Sequence, residues 1–366
     1  MIITLAIITV IYALLILAFG YYWREEEDAK SFPADLEKTL VSVIVAFRNE
    51  EKNIPALIDS LLAQTYTKCE FVLVDDHSDD NSLAIAKTFS DSRIKIISAS
   101  DEVIGKKAAL KFGYESSLGE ILFFTDADCV FGSRCIETIV AKMHSEKSQM
   151  VCGPVCYFHK KGFFQGLMQL EFLSLTGSGA SGFFMGRPFM CNGANLAVDR
   201  KVYAEADLNP RYSSGDDVFL LHYAHSKYKV SFVQSSECIV ETQGPDGICD
   251  FFKQRIRWAS KAGGYKNGFA IFVAALIFLM SLALIVAFVA GCINPIYFIV
   301  YFCLLMMKLV VDTYFIIPVL RFYRMGKLWW AILPLTIIYP IYIVSVAVAS
   351  LFYKPMWKGR KIYVKI

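Results

Sequence analysis

Two carboxylates stand one residue apart in Thr125-Asp126-Ala127-Asp128, directly after the apolar run Ile121-Leu122-Phe123-Phe124. Acids spaced this way at the end of a buried strand offer hard oxygen ligands to a divalent cation, and such a cation commonly carries the phosphates of a nucleotide. The same pair can also close a turn or cap a helix, so its weight comes from its surroundings. Those surroundings are polar in a regular way. Phe47-Arg48-Asn49-Glu50 follows one apolar run, Asp75-Asp76-His77-Ser78 follows a second, and Gly105-Lys106 opens an amphipathic stretch. Further on, Asp217 precedes Val218-Phe219-Leu220-Leu221. An acid there can cap a helix and also accept the proton of an attacking hydroxyl.

The elements that must hold these groups alternate in type. Val41–Phe47, Glu70–Val74, Ile94–Ile97 and Ile121–Phe124 are apolar runs of strand length. Between them, Glu50–Gln64, Leu83–Phe89 and Lys106–Ser117 read as helices. This order predicts an α/β fold with a mostly parallel central sheet, helices on both faces, and ligands beyond the carboxyl ends of the strands. No Gly-x-Gly-x-x-Gly follows the first strand and no Gly-x-x-x-x-Gly-Lys-Ser/Thr occurs anywhere. Phosphates would then be neutralised by a metal on Asp128 instead of by a glycine-rich cradle.

The chain has 366 residues, is 55% hydrophobic, and has a mean hydropathy of +0.45, which calls for a membrane part beside a soluble core. Met1–Trp23, Gly268–Met307 and Leu328–Tyr353 carry no charge. Each exceeds the roughly 20 apolar residues that cross a bilayer core. The first reads as a retained anchor and not a signal peptide, because no basic residue precedes it and no small-residue cleavage site follows. Basic clusters occur at Lys253, Arg255, Arg257, Lys261 and Lys266, at Arg321, Arg324 and Lys327, and at Lys354, Lys358, Arg360, Lys361 and Lys365. The positive-inside rule puts all of them on the cytoplasmic side. A hairpin over 268–320 that turns at Asn294-Pro295 satisfies the first two. A single crossing by 328–352 would leave the tail outside, unless Pro334 and Pro340 break that segment into a re-entrant element.

The expected organisation is an N-terminal transmembrane anchor (1–23), a cytoplasmic catalytic domain with interfacial elements (31–266), C-terminal membrane helices (268–353) and a basic tail (354–366). Within the second part, Gly162–Met190 reads either as an interfacial helix and loop or as an ordinary core helix. Lys308 and Asp312, four positions apart, read as a structural ion pair at membrane depth. A net charge of +3 argues against nucleic acid as a partner. Ten scattered cysteines without zinc spacing suit a reduced compartment.

In order along the chain stand Phe47-Arg48-Asn49-Glu50, Val74 to Asp80, Gly105-Lys106-Lys107-Ala108-Ala109-Leu110, Asp126-Ala127-Asp128, Gly193-Ala194-Asn195, Gly215-Asp216-Asp217 and Gln254-Arg255-Ile256-Arg257-Trp258. With these, the chain resembles a membrane-integrated family-2 glycosyltransferase of the nucleotide-diphospho-sugar transferase fold, called GT-A, carrying a Gln-x-x-Arg-Trp motif. The resemblance implies roles. Asp75 and Asp76 would contact the uracil and ribose of a UDP-sugar, with Arg48 and Glu50 beside them. Lys106 would approach the nucleotide, Asp126 would face the ribose or sugar, and Asp128 would bind Mg²⁺ or Mn²⁺. Asp217 would be the catalytic base, while Gln254, Arg257 and Trp258 would close over the diphosphate and acceptor. The sequence departs from the family at Asp216, where Glu is frequent, and at Lys111, where Asn is frequent.

The resemblance implies an inverting, metal-dependent transfer of a sugar to a lipid or membrane-embedded acceptor at the cytoplasmic face of a bacterial inner membrane. The closing Trp357-Lys358-Gly359-Arg360 looks like lipid- or carotenoid-directed members. The alternatives are a processive polysaccharide synthase, toward which Gln-x-x-Arg-Trp leans, and a catalytically silent nucleotide-sugar-binding scaffold.

Overall fold

The computed structural model describes residues 1–23, 39–208, 215–352, 356–357 and 360–361. Lys354, Lys358 and Lys365 of the expected basic tail, and Lys358-Gly359 of the closing motif, lie outside the described residues.

An apolar helix, α1 (Ile2–Tyr22), opens the chain. The expected alternation follows as β1 (Val41–Phe47), α2 (Ile54–Leu62), β2 (Cys69–Asp75), α3 (Ser82–Ala86), β3 (Ile94–Ser98), α4 (Lys106–Glu115) and β4 (Ile121–Phe124). The first of these helices starts at Ile54 and not at Glu50. The backbone N–H of Glu50 donates to Ser82 Oγ at 2.6 Å and that of Glu51 to Asp80 Oδ2 at 3.2 Å, so this stretch is fastened to the next loop. Then come β5 (Cys129–Phe131), α5 (Cys135–Glu146), β6 (Met150–Cys152), β7 (Val155–Tyr157), α6 (Phe163–Phe184), β8 (Leu196–Asp199) and α7 (Arg200–Glu205). The remainder is α8 (Asp216–Lys227), β9 (Val230–Phe232), β10 (Val240–Thr242), α9 (Ile248–Ala259), α10 (Gly268–Ile293), α11 (Ile296–Phe322), α12 (Ile332–Ser350) and the paired β11 (Met356–Trp357) and β12 (Arg360–Lys361).

These elements form two compact units. One, which among the described residues takes in 39–158, 190–208, 215–243, 356–357 and 360–361, is built on a seven-stranded sheet of order β3-β2-β1-β4-β8-β6-β9. The strands from β3 to β4 pair in parallel, β8 runs antiparallel to both β4 and β6, and β9 rejoins parallel to β6. Every residue of β1 is buried, as a strand covered on both faces requires. Helix α4 packs on β1 and β2. A smaller sheet, β5-β10-β7, completes the unit.

The other unit, residues 1–24, 159–189 and 244–354, holds α1, α6 and α9 to α12. Four of its helical segments, Ile2–Tyr22, Gly268–Ile293, Ile296–Phe322 and Gly326–Ser350, are long and apolar enough to cross a membrane. The hairpin of α10 and α11 turns at Asn294-Pro295 as the sequence suggests. Pro334 and Pro340 do not break the last segment, since α12 runs through both. Within the stretch Gly162–Met190, residues Phe163–Phe184 form α6, buried along most of its length and packed against α1, α11 and α12. Lys308 pairs with Asp312, and both meet Tyr12: the Lys308 Nζ donates to the Tyr12 hydroxyl at 2.9 Å, and that hydroxyl donates to Asp312 at 2.5 Å.

Within the sheet unit, α4 approaches β1 and β2 through Gly113. A Cβ there would stand 2.6 Å from Ile44 Cγ2 and 3.0 Å from Val74 Cγ2. Both neighbours are fully buried, so neither can retreat into solvent. Gly113→Val is therefore expected to destabilise the protein by about 2–3 kcal/mol through overpacking. Urea denaturation of the detergent-solubilised chain checks this, and an unchanged midpoint would contradict the close approach.

Candidate active site

The first two loops of the sheet are latched together by Arg48. This buried side chain donates from Nη1 to the carbonyl of Asp76 at 2.9 Å and to that of His77, and its Nη2 pairs with Asp79 at 2.5 Å. A guanidinium fork suits such a task because its donors are fixed in one plane. Asn49 and His77 take left-handed backbone angles, φ 53° and 55°. Cross-loop bonds hold that strained backbone: Asp79 N–H donates to Asn49 Oδ1 at 2.8 Å, and Asn49 N–H to Ser78 Oγ at 3.1 Å. Asp75 accepts from the Ser78 N–H at 3.1 Å, and Asp76 accepts from the Gly105 N–H at 3.1 Å. Gly105 has φ 94°, which only glycine adopts readily, so Asp76 pins the start of α4 at the one residue able to make that turn.

From that start, two neighbouring lysines reach two acidic segments. Lys106 pairs with Asp126, just past β4. Lys107 pairs with Asp216 at 3.2 Å and also donates to the carbonyl of Leu208. The antiparallel register sets Phe124 against Leu196, so Thr125-Asp126 and Gly193-Ala194-Asn195 leave the sheet at the same edge. There the Gly193 N–H donates to Asp217 Oδ2 at 3.1 Å, while the other carboxylate oxygen accepts from Val218 N–H at 2.9 Å. Asn195 is wholly buried and ties this edge to the carbonyls of Pro154 and Cys238, at 3.0 and 2.7 Å.

The charge balance of this edge is informative. Burial, then the charges of Asp126 and Glu50, push the Asp128 carboxyl up to about 6, with Lys106 pulling it back. Burial also raises Asp216, against the pull of Lys107. A half-buried group of carboxylates with too little positive charge fits a divalent cation. Among the described residues no three His, Cys, Asp or Glu side chains form a cage of their own. An ion held here by Asp128 would therefore complete its shell with ligand oxygens, as a cation bound together with phosphates does.

Gln254, Arg257 and Trp258 lie on α9, in the helical unit, and all three are half-buried. Sequence reasoning passed over the residue between them. Arg255 is buried against Glu171 of α6, and its guanidinium lies 4.3 Å above the Trp258 ring. It also passed over Lys107, visible only as the second letter of Gly105-Lys106-Lys107, and the Gly193 amide, which no side-chain type announces.

Residues 42–205 match the sequence family described as Glycosyl transferase family 2. That match covers less than half of the chain. Curated relatives match shorter stretches of the chain. Glycosyltransferase AglE of Haloferax volcanii is 34% identical over 125 residues, 33% of this chain and 41% of that protein. The UDP-Glc:alpha-D-GlcNAc-diphosphoundecaprenol beta-1,3-glucosyltransferase WfgD of Escherichia coli is 32% identical, over 30% of this chain and 42% of its own length. A cholesterol galactosyltransferase of Borreliella burgdorferi is 32% identical over 32% of this chain and 33% of that protein. The chain thus spans less than half the length of these relatives. A solved mannosyltransferase from Pyrobaculum calidifontis, in complex with GDP-Man and Mn²⁺, covers 96% of this chain and 99% of its own at a TM-score of 0.57 and 16% identity. That likeness carries the GT-A fold, whose parallel-dominated sheet is the one described above.

The domain keeps its two acidic segments tied to adjacent residues of one helix, which makes the tie testable. Lys107→Met leaves Asp216 largely buried without its cation and is expected to cost about 1–3 kcal/mol, less than a fully desolvated pair would. The double variant Lys107→Met/Asp216→Asn should recover most of that loss, because no uncompensated charge remains. Denaturation midpoints of the three proteins decide it, and equal losses in the single and double variants would contradict the pairing.

Proposed function

We propose that this family 2 domain is the catalytic part of an inverting, metal-dependent glycosyltransferase that moves a sugar from a UDP-sugar to a lipid or membrane-embedded acceptor. The observation that carries the reading is the convergence on Lys106 and Lys107. Adjacent side chains of α4 touch the Asp126 segment and the Asp216-Asp217 segment. A nucleotide-bearing acid pair and a proton-accepting acid need that proximity. Asp217 suits the base: backbone N–H groups of Gly193 and Val218 aim its carboxylate, which would take the acceptor hydroxyl's proton as that oxygen attacks the anomeric carbon. A single in-line displacement inverts that carbon.

Asp128 would hold Mg²⁺ or Mn²⁺, which when bound supplies positive charge to the departing diphosphate, and Asp126 would face the ribose or sugar. Asp75 and Asp76 would receive the nucleoside, with Arg48 and Glu50 shaping the loop and Lys106 beside the phosphates. Gln254, Arg257 and Trp258 are assigned to the diphosphate and acceptor. Arg257 suits a phosphate because its fork can donate two parallel charge-assisted bonds. The lipid acceptor is supported by four helices of spanning length and by relatives whose names specify a diphosphoundecaprenol and a sterol acceptor. The basic residues that flank α10 and α11 support the cytoplasmic face.

The decisive experiment incubates the detergent-solubilised chain with labelled UDP-sugars, a divalent cation and membrane lipids, and weighs the products. One added hexose on a lipid is expected. A ladder would replace this reading with a processive synthase, and donor binding without transfer or hydrolysis would replace it with a silent scaffold. Asp217→Asn should lower transfer by about 10²–10⁴-fold with donor binding intact. Asp128→Asn, or a chelator, should remove donor binding as well. Near-normal transfer by correctly folded Asp217→Asn would overturn the base assignment.

A further inference from the structure

Within the helical unit, one carboxylate joins three helices. Glu171 of α6 accepts from Arg255 of α9 at both oxygens, with Nε at 3.1 and 3.0 Å and Nη2 at 2.5 Å. The hydroxyl of Tyr342, on α12, donates to the same carboxylate at 2.9 Å. The side chains of Arg255 and Glu171 are only 3% and 2% exposed. The remaining edge of the guanidinium donates to Gln254 Oε1, and its face lies 4.3 Å from the Trp258 ring centre and 4.6 Å from that of Phe251.

Burying two ions is expensive, and packed apolar residues of the same volume would often be at least as stable. What an ion pair adds is direction. Apolar contacts also hold α9, with Phe251 clustered with Met168, Tyr342 and Val346, and Phe252 and Ile256 packed beside them. Such a seam resists separation but tolerates rotation and sliding. A planar fork onto a carboxylate tolerates neither.

We infer that Arg255 is a positioning residue: its fork onto Glu171 sets the rotation of α9 and thereby the presentation of Gln254 and Trp258. The inference rests on the transferase reading for what those two residues do, but the orientation of α9 itself does not. Arg255 touches Gln254 through its amide oxygen and Trp258 through its ring, so any rotation that breaks the fork moves both. The carboxylate is fixed in turn by Tyr342, whose ring neighbours Tyr339 at 5.7 Å. Tyr339 packs 5.0 Å from the Lys308 ammonium that pairs with Asp312. Polar and aromatic contacts thus run from the middle of the apolar helices to α9.

The test compares the full chain in detergent with Arg255→Lys, which keeps the charge and loses the fork, and with Arg255→Met/Glu171→Met, which removes both charges together. Amide hydrogen exchange over Ile248–Ala259 is read beside α10 and α11, and steady-state transfer is measured with the donor that the parent uses. In both variants, exchange of α9 should quicken by about ten-fold while α10 and α11 stay at the parent rate. Transfer should lose about ten-fold in kcat with a donor KM within about three-fold, the split expected of lost positioning. Parent-rate exchange of α9 in Arg255→Lys overturns the inference, and so does a parental kcat in the joint variant. Should the joint variant exchange rapidly throughout, Arg255→Lys decides alone. If the parent turns over no donor, the transferase reading falls, and the exchange comparison still decides whether Arg255 orients α9.

Discussion

Burial of carboxylates close to one another is the constraint around which the candidate site is built. Glu50, Asp126, Asp128, Asp216 and Asp217 all belong to the loops and helix start at the carboxyl edge of the sheet, and the raised Asp128 and Asp216 record first the cost of burying them and then that of gathering them there. The chain meets that cost in distinct ways. Backbone N–H groups of Ser78, Gly105, Gly193 and Val218 satisfy Asp75, Asp76 and Asp217, giving direction without adding charge. Lys106 and Lys107 supply charge to Asp126 and Asp216. At Asp128 burial and the charges of Asp126 and Glu50 outweigh the pull of Lys106, so its carboxyl stays above its ordinary value.

The helical unit solves a different problem. In an apolar bundle one Leu or Phe contact is much like another, so apolar packing alone specifies rotation and register weakly. Directional contacts inside the bundle provide what packing does not. Tyr12, Lys308 and Asp312 join α1 to α11, and Glu171, Arg255 and Tyr342 join α6, α9 and α12. Both clusters place charge where water does not compete, so the geometry of each bond matters more than it would at a surface.

Much of this was legible in the residue order. Strands β1 to β4 and the helices between them follow from run length and periodicity, and the acids at the strand ends follow from where those runs stop. The start of α2 was not legible, because side chains of Asp80 and Ser82 capture the backbone of Glu50 and Glu51 from another loop. The continuity of α12 through Pro334 and Pro340 was not legible either. Proline marks a possible break, and packing decides whether the helix continues.

Sequence alone determined the residue types: a chain with a parallel α/β core, acids after the strands, a basic-aromatic motif, and uncharged stretches long enough for a bilayer. Those follow from local composition and period, which neighbouring residues carry by themselves. Tertiary structure decided the partnerships. It alone ran β8 antiparallel against β4, turned the Gly193 amide toward Asp217, sent Lys107 to Asp216, and made Arg255, the unremarked letter of its motif, the one that grips Glu171. Hydrogen bonds and ion pairs between segments far apart in the chain depend on where the backbone returns, and no local spacing encodes that return.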